Sequence, residues 1–275
     1  MTQRVAKPDE LELILSWATD EGWNPGLEDA AAFHAADPGG FFVATRDDQP
    51  VAAISVVNHS DSYAFLGLYL CQPNWRGQGI GYALWQYALA HAGDRTVGLD
   101  GVAAQQANYA KSGFTHAGAT HRFEGKLRPK AVKDIRPVTP DDKARLDALD
   151  HAANGVERLR FLTAWTKDSA TRRTLVLERA GEVVGLVTIR RCQSGAKIGP
   201  IIAPDAETGL HLARAALAAL PAEHVIIDVP EANRAFTALM QAEGMVETFA
   251  TARMYRGPAP ETGPGLQAIA TMELG

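Results

Sequence analysis

Apolar and polar residues alternate along the first half of the chain in stretches that predict helices and strands in a mixed order. Apolar residues recur at helical spacing after Pro8, and strand-like runs of β-branched and aromatic residues follow. Helices are expected at 8–19, 26–36, 80–92 and 103–111, and strands at 41–45, 51–57, 63–70, 96–99 and 115–123. This order predicts an α+β fold, a mixed and mostly antiparallel sheet with flanking helices.

The pattern then repeats at about half the length of the chain. The segment Ala119–Phe123 recurs as Ala250–Met254, and Gly113 and Pro73 recur as Gly244 and Pro204 at the same offset of 131 residues. Internal repetition indicates two copies of one structural unit. We therefore expect two tandem domains, residues 1–128 and 133–275, joined by a basic linker that contains one proline.

The end of the chain has a pattern of its own. A spacer rich in proline and glycine, residues 256–265, precedes a segment in which Leu266, Ala268, Ala270, Met272 and Leu274 alternate with other residues. Period-two alternation is typical of a strand with one buried face. We expect this C-terminal strand to pair with a sheet edge, either that of the first domain, which we favour, or that of its own domain.

Composition and charge narrow the range of functions. The chain has 275 residues, 46% hydrophobic and 21% charged, with a formal net charge of −5, so neither nucleic acid nor a membrane is expected as a partner. Its two cysteines are too few for a disulfide framework or a cysteine zinc site, and no metal is expected. The first residues lack an apolar core typical of a signal peptide, which favours a cytoplasmic location.

A glycine-rich turn joins a predicted strand to a predicted helix. Residues 76–81 have the pattern Arg-x-x-Gly-x-Gly, which Arg76, Gly79 and Gly81 define. Gly77 is a third glycine, at the first variable position. Glycines allow dihedral angles that other residues avoid, and a helix start directs its N–H groups and positive dipole end at one point. Such a turn suits a pyrophosphate. The dinucleotide fingerprint would need glycine at Tyr82, which disfavours a nucleotide-dependent oxidoreductase.

Together with Pro73, this turn resembles the coenzyme A pyrophosphate loop of the GNAT superfamily of N-acetyltransferases. Downstream, Tyr109–Phe114 resembles the family's Tyr-x-Lys-x-Gly-Phe helix end. The resemblance implies acetyl-coenzyme A as cosubstrate and direct transfer of its acetyl group to a primary amine, expected to be that of a small molecule. A non-catalytic acetyl-coenzyme A sensor or interaction module is the alternative. The acceptor amine and the oligomeric state are left open.

The resemblance also assigns roles to individual residues. The backbone N–H of Cys71 would bind the oxyanion, and Tyr109 would protonate the departing thiolate. An asparagine that the family carries seven residues before this tyrosine is Val102 here, and Gln105 or Gln106 would supply the amide instead. The residues expected to bind the coenzyme are Leu70, Cys71, Arg76, Gly77, Gln78, Gly79, Ile80, Gly81, Gln105, Gln106, Tyr109 and Lys111.

The acceptor side of the site is less specified by the sequence. Trp23 and Asn24 lie between the first two helices, where the resemblance puts the acceptor pocket. Asp100, at the end of a strand, is the first candidate for the general base. A water-mediated base is the alternative, and four other side chains are further candidates: His59, Asp61, His121 and Glu124.

The second copy keeps the scaffold and loses the coenzyme motif. At the offset of 131 residues, Arg76 becomes Glu207, Gly79 becomes Leu210 and Tyr109 becomes Met240. A carboxylate repels a pyrophosphate, and leucine does not adopt the open dihedral angles of glycine. The second domain is therefore predicted to be degenerate in coenzyme binding.

Overall fold

The computed structural model describes the whole chain, residues 1–275, and has the predicted α+β architecture. The strands are β1 (Thr2–Val5), β2 (Phe41–Arg46), β3 (Gln49–Asn58), β4 (Tyr63–Cys71), β5 (Thr96–Gly101), β6 (Thr115–Gly125), β7 (Ile135–Pro137), β8 (Arg172–Arg179), β9 (Glu182–Arg191), β10 (Ala196–Ile202), β11 (Val225–Pro230), β12 (Val246–Arg256) and β13 (Leu266–Ala268). The helices are α1 (Glu10–Asp20), α2 (Asp29–Ala36), α3 (Ile80–Leu89), α4 (Gln106–Lys111), α5 (Lys143–Asn154), α6 (Leu159–Trp165), α7 (Ala206–Ala219) and α8 (Arg234–Ala242). Strand β1 was not predicted, because its four residues show no apolar pattern.

All strands belong to one continuous sheet. Twelve of them follow the order β1-β2-β3-β4-β5-β12-β6-β11-β10-β9-β8-β7, and β13 pairs with β10 beside this path. Strand β12 of the second half thus lies between β5 and β6 of the first half, and β6 lies between β12 and β11. Each half gives its last long strand to the sheet of the other, so the sequence boundary near residue 130 does not coincide with a gap in the sheet.

The exchanged strands are related by an approximate two-fold axis. Strands β6 and β12 run antiparallel, and Thr120 faces Thr251, which is its equivalent in the repeat. On its other edge, β12 pairs with β5, and on its other edge, β6 pairs with β11. Both pairings are antiparallel. Because equivalent strands of the two repeats make the same pairings, the two halves of the sheet are joined symmetrically.

Three of the buried apolar clusters show how the halves are built and joined. One cluster packs α7 and α8 against the second half of the sheet, and another packs α3 against the first half. A third cluster lies between the halves and joins α1 and α2 to Phe161 and Trp165 of α6. The ring of Trp165 stacks on Phe33 of α2, with 6.1 Å between ring centroids. Burial of this apolar surface couples the two halves.

The prediction of a long C-terminal strand at the edge of the first domain is wrong. Only Leu266–Ala268 forms a strand, and it pairs with β10 of its own half. The rest of the tail turns back between the halves, where Thr271 and Glu273 are as buried as Ala270 and Leu274. The alternation did not predict this course because a segment enclosed on both faces buries its polar side chains as well.

No helix of this protein combines the length and the apolar character that crossing a bilayer requires.

Candidate active site

Strands β4 and β5 diverge and open a cleft in the first half of the sheet. They pair in parallel from Tyr63 opposite Thr96 to Leu66 opposite Leu99, and then separate. Leu68 has a φ of 47°, in the left-handed region, and the register between β3 and β4 shifts at this point. A bulge of this kind bends a strand away from its neighbour. The divergence leaves backbone groups of β4 facing the cleft.

The glycine-rich turn has the conformation that its sequence predicts. Gly77 and Gly79 have φ values of 75° and 78°, and a Cβ at either position would meet no other atom within 4 Å. Helix α3 starts after Gly79, and no side chain caps its first N–H groups. These donors and the positive end of the helix dipole face open space. The turn therefore fits a pyrophosphate group, as its residue pattern indicates.

Gly81 and Arg76 are constrained by contacts around this turn. A Cβ on Gly81 would lie 2.7 Å from the hydroxyl oxygen of Tyr69, so a larger residue would displace that ring. The guanidinium of Arg76 donates through Nε to the carbonyl oxygen of Cys71 at 2.8 Å and also pairs with Glu21 at the end of α1. The side chain of Arg76 is half exposed, so it can exchange Glu21 for a phosphate.

Tyr109 lies at the inner end of the cleft. Its ring stacks on Trp85 at 5.2 Å and is 7% exposed. Gly101 makes room for it, since a Cβ there would be 2.9 Å from the ring. Burial, with a smaller contribution from nearby Tyr69, raises the pKa of Tyr109 above its ordinary value. The phenol is therefore protonated at neutral pH and can act as a proton donor.

Cys71 ends β4 beside the turn. Burial raises the pKa of its thiol, and the charge of Arg76 opposes this shift. A thiol with a raised pKa is a poor nucleophile at neutral pH. The side chain is thus suited to a packing role, and the backbone N–H remains the predicted functional group at this position.

The cleft is built from both halves of the chain. Its apolar wall includes Trp23, while the second half contributes Phe249 and Thr251, and the tail contributes Met272 and Glu273. The other lining residues are Leu66, Gly67, Leu68, Tyr69, Leu99, Asp100, Val102, Gln105, Tyr109 and Arg122. The residues of the second half and the tail were not predicted for this site, because only the strand exchange and the course of the tail bring them to this cleft.

The surroundings of Asp100 argue against the predicted role of general base. Its carboxylate accepts two hydrogen bonds from Arg253, at 3.0 Å and 2.7 Å, and its side chain is 0% exposed. The hydroxyls of Thr120 and Thr251 donate to the same carboxylate, each at 3.3 Å. The carboxylate is thus already engaged by one cation and two hydroxyls from β6 and β12. Its contacts give Asp100 a structural role between the halves.

The other candidate bases, unlike Asp100, lie away from the cleft. His59 is buried and its Nε2 is 2.9 Å from the carbonyl oxygen of Leu274, and burial lowers its pKa to about 3. His121 pairs with Glu247 at 3.0 Å, and Glu124 pairs with His224 at 2.9 Å. Asp61 is exposed. None of these four side chains is among the residues that line the cleft.

Three predicted ligand-binding side chains lie at the margin of the site or outside it. Asn24 uses its amide to bind the backbone of Ser194, donating at 2.8 Å and accepting at 3.2 Å, and does not line the cleft. Gln106 donates to the carbonyl oxygen of Gly101 at 3.2 Å, which supports the end of β5. Lys111 is exposed at the end of α4. Gln105 and Trp23, by contrast, do line the cleft.

The corresponding cleft of the second half is filled by the chain itself. Strands β10 and β11 pair only at Ala196 and Lys197 before they diverge, and β13 enters the gap. On one side β13 pairs with β10, and on the other the N–H of Ile269 donates to the carbonyl oxygen of Asp228 at 3.0 Å. The tail thus takes the position that an extended ligand would need.

Side chains hold the tail in this second cleft. Asn233 donates to the side-chain oxygen of Gln267 at 2.6 Å and to the carbonyl oxygen of Leu266 at 3.1 Å. Helix α7 is capped by Asp205, whose carboxylate accepts from the N–H of Thr208 at 2.8 Å. The N–H groups that a pyrophosphate would use in the second half therefore face an internal carboxylate.

Two family models match successive parts of the chain. The model described as the acetyltransferase (GNAT) family matches residues 9–114, and the model described as the acetyltransferase (GNAT) domain matches residues 146–264. The two matches correspond to the two copies of the repeat.

One relative and two solved structures match nearly the whole chain. Holothin acyltransferase from Pseudoalteromonas sp. (strain SANK 73390) is 35% identical over 278 residues, which cover 100% of this chain and 94% of that protein. A crystal structure from Pyrococcus horikoshii superimposes with a TM-score of 0.84 at 24% identity and covers 100% of this chain and 95% of that one. A tandem GNAT protein from the clavulanic acid biosynthesis pathway has a TM-score of 0.63 at 18% identity, with coverages of 94% and 99%. These two structures share the fold.

Proposed function

Because the chain belongs to the GNAT acetyltransferase family and is an acyltransferase, we propose that it transfers an acetyl group from acetyl-coenzyme A to a primary amine of a small molecule. The reaction is a direct attack of the amine on the thioester while both substrates are bound. The observation that carries the proposal is the cleft between β4 and β5, which Tyr109 lines. Tyr109 also stacks on Trp85 of α3, the helix whose start is uncapped.

The first half supplies the coenzyme site. The N–H groups at the start of α3 and the turn Gly77–Gly79 bind the pyrophosphate, and Arg76 leaves Glu21 to add a positive charge. The separated backbone of β4, with Leu70 and Cys71, offers hydrogen bonds to the extended arm of the coenzyme. The second half does not bind coenzyme, since its own tail fills the equivalent cleft.

The chemical step uses few groups of the chain. The neutral amine attacks the thioester carbon, and a backbone N–H near Cys71 donates to the oxygen on which negative charge develops. The bond from carbon to sulfur then breaks, and the hydroxyl of Tyr109 gives its proton to the thiolate. The attacking nitrogen loses one proton to water, and Tyr109 regains a proton from water. Burial keeps the pKa of Tyr109 high, so the hydroxyl carries that proton at neutral pH.

Release of free thiol from acetyl-coenzyme A, measured with a panel of amines, tests the proposal. Holothin belongs in the panel because the name of a relative connects acyl transfer with it. Thiol release that depends on an amine, together with formation of the acetylated amine, supports the proposed reaction. Coenzyme binding without turnover of any amine would instead support a sensor or interaction module.

A further inference from the structure

The tail brings a carboxylate to the cleft of the first half. Glu273 lines the cleft together with Met272, although its side chain comes from the far end of the chain. Its backbone carbonyl lies directly against Gly67 of β4, where any Cβ would overlap it. The tail is held in place by the contact of His59 with the carbonyl oxygen of Leu274 and by Arg158, which binds the backbone of Gly275.

Glu273 is 4% exposed and has no cationic partner within ion-pair distance. One carboxylate oxygen, Oε2, accepts a hydrogen bond from the hydroxyl of Thr271. The other oxygen, Oε1, receives no hydrogen bond from the protein. A buried carboxylate with an unused acceptor is costly unless a ligand or water completes its hydrogen bonds.

The other two charged residues that line this cleft, Asp100 and Arg122, are already paired. Asp100 is held by Arg253, and Arg122 is held by Asp228 at 2.8 Å and 3.0 Å. Lys197, behind the cleft, donates to the carbonyl oxygen of Trp23 at 2.9 Å. Burial lowers the pKa of Lys197, and the charge of Glu273 opposes this shift. Among the lining residues, the cleft therefore offers one unpaired carboxylate and no unpaired cation.

Most of the rest of the wall is apolar, with Gln105 and Thr251 as uncharged polar residues. Its apolar residues are Trp23, Phe249 and Met272, together with leucine and valine side chains of β4, β5 and the loop after β5. Such a wall favours a ligand whose body is uncharged and compact.

We propose that the acceptor is a primary amine on a compact, otherwise uncharged body, and that Oε1 of Glu273 accepts a hydrogen bond from its amino group. This inference rests on the proposed function and specifies its substrate class. A second charge on the acceptor, positive or negative, would enter an apolar cleft with no partner and would lose the energy of its hydration.

Three matched amines test the substrate class on the full-length protein. 2-Phenylethylamine has an uncharged body, phenylalanine adds a carboxylate to the same body, and 1,4-diaminobutane carries a second amino group. We expect the highest kcat/KM for 2-phenylethylamine, by about tenfold or more over the other two. A higher kcat/KM for phenylalanine or 1,4-diaminobutane would overturn the proposed class.

The variant Glu273→Gln tests the residue itself. It keeps an acceptor for Thr271 and removes the charge, so KM for 2-phenylethylamine should rise about tenfold or more, while the Kd of coenzyme A stays unchanged. Glu247→Gln is the matched control, because Glu247 lies outside the cleft and pairs with His121. If the KM of Glu273→Gln for 2-phenylethylamine equals that of wild type, Glu273 does not bind the acceptor.

The failure of this inference differs from the failure of the proposed function. If the wild-type protein binds coenzyme A and releases no thiol with any amine, the proposed function is wrong. If thiol is released but charged amines are preferred, only the acceptor class is wrong. Should Glu273→Gln fail to fold, as judged by its melting temperature, the comparison of the three amines on the wild-type protein still decides the acceptor class.

Discussion

Arg122 and Arg253 are equivalent residues of the repeat, and each crosses to bind a carboxylate of the other half. Arg122 on β6 faces Asp228 on β11, and Arg253 on β12 faces Asp100 on β5. Both contacts are bidentate, with distances between 2.7 Å and 3.0 Å. Burial would lower the pKa of Arg122, but the charge and the hydrogen bonds of Asp228 raise it above its ordinary value. The strand exchange is thus secured by two symmetric buried ion pairs.

We predict that Asp228→Ala destabilises the protein by about 3–5 kcal/mol, because it leaves the charge of Arg122 buried without a partner. Lys143→Ala is the control, since it removes an exposed pair with Asp147 and should cost about 0.5 kcal/mol or less. Denaturant unfolding followed by circular dichroism measures both changes. Equal effects of the two variants would contradict a structural role for the buried pair.

Asp100→Asn separates the structural role of Asp100 from the catalytic role that its sequence position suggests. We expect a lower melting temperature, because Arg253 loses its counterion, and a kcat within a few fold of wild type at a temperature where the variant is folded. Loss of a general base would instead lower kcat by about 10²-fold or more. Steady-state kinetics at low temperature distinguish the two results.

Coenzyme A is expected to bind one site per chain. Isothermal titration should give a stoichiometry near one, and Gly79→Glu should abolish binding because a carboxylate would face the pyrophosphate. Arg76→Ala should weaken binding, whereas the matched variant Glu207→Ala in the second half should leave it unchanged. Two sites, or an effect of Glu207→Ala as large as that of Arg76→Ala, would show that the second cleft is open.

Tyr109→Phe should lower kcat by about 10²-fold and leave the Kd of coenzyme A nearly unchanged, since only the proton donor is removed. Tyr87→Phe is the control, because Tyr87 is exposed on α3 and does not line the cleft. Stopped assays of thiol release, combined with titration of the coenzyme, give both quantities. An unchanged kcat would mean that water or another group protonates the thiolate.

His59 should make the protein less stable in acid. Burial and the positive charge of Arg158 lower its pKa to about 3, whereas the unfolded chain takes up a proton near pH 6.5. Between these values the unfolded state binds one more proton, so the free energy of unfolding falls as pH falls, by up to about 1.4 kcal/mol per pH unit.

The variant His59→Gln checks this dependence. It can still donate to the carbonyl oxygen of Leu274 and has no titratable group, so its stability should fall less between pH 6.5 and pH 4 than that of wild type. His116→Gln, at an exposed position, is the control and should follow the wild-type curve. Parallel curves for His59→Gln and wild type would mean that His59 is solvated.

The sequence alone determined the elements whose signals are local. The turn at Gly77 and Gly79 could be predicted because those residues favour φ values near the observed 75° and 78°. The place of Tyr109 followed from its motif, and the repeat followed from matching residues at one offset. The loss of the turn in the second half was predicted from Glu207 and Leu210, but both lie inside helix α7, and the residue at the N-cap position that Gly79 holds in α3 is Asp205.

Only the tertiary structure decided which strands pair and what closes the cleft. The alternation in β6 and β12 is the same whether each strand stays in its own half or crosses to the other, because period two reports the faces of a strand and not its neighbour. The tail is apolar enough to pack in several places, and only the open gap between β10 and β11 receives it. For this reason the sequence suggested Asp100 for the site and did not suggest Glu273. Arg253, which pairs with Asp100, and the tail, which brings Glu273 to the cleft, both lie more than a hundred positions from the first-half residues of the site.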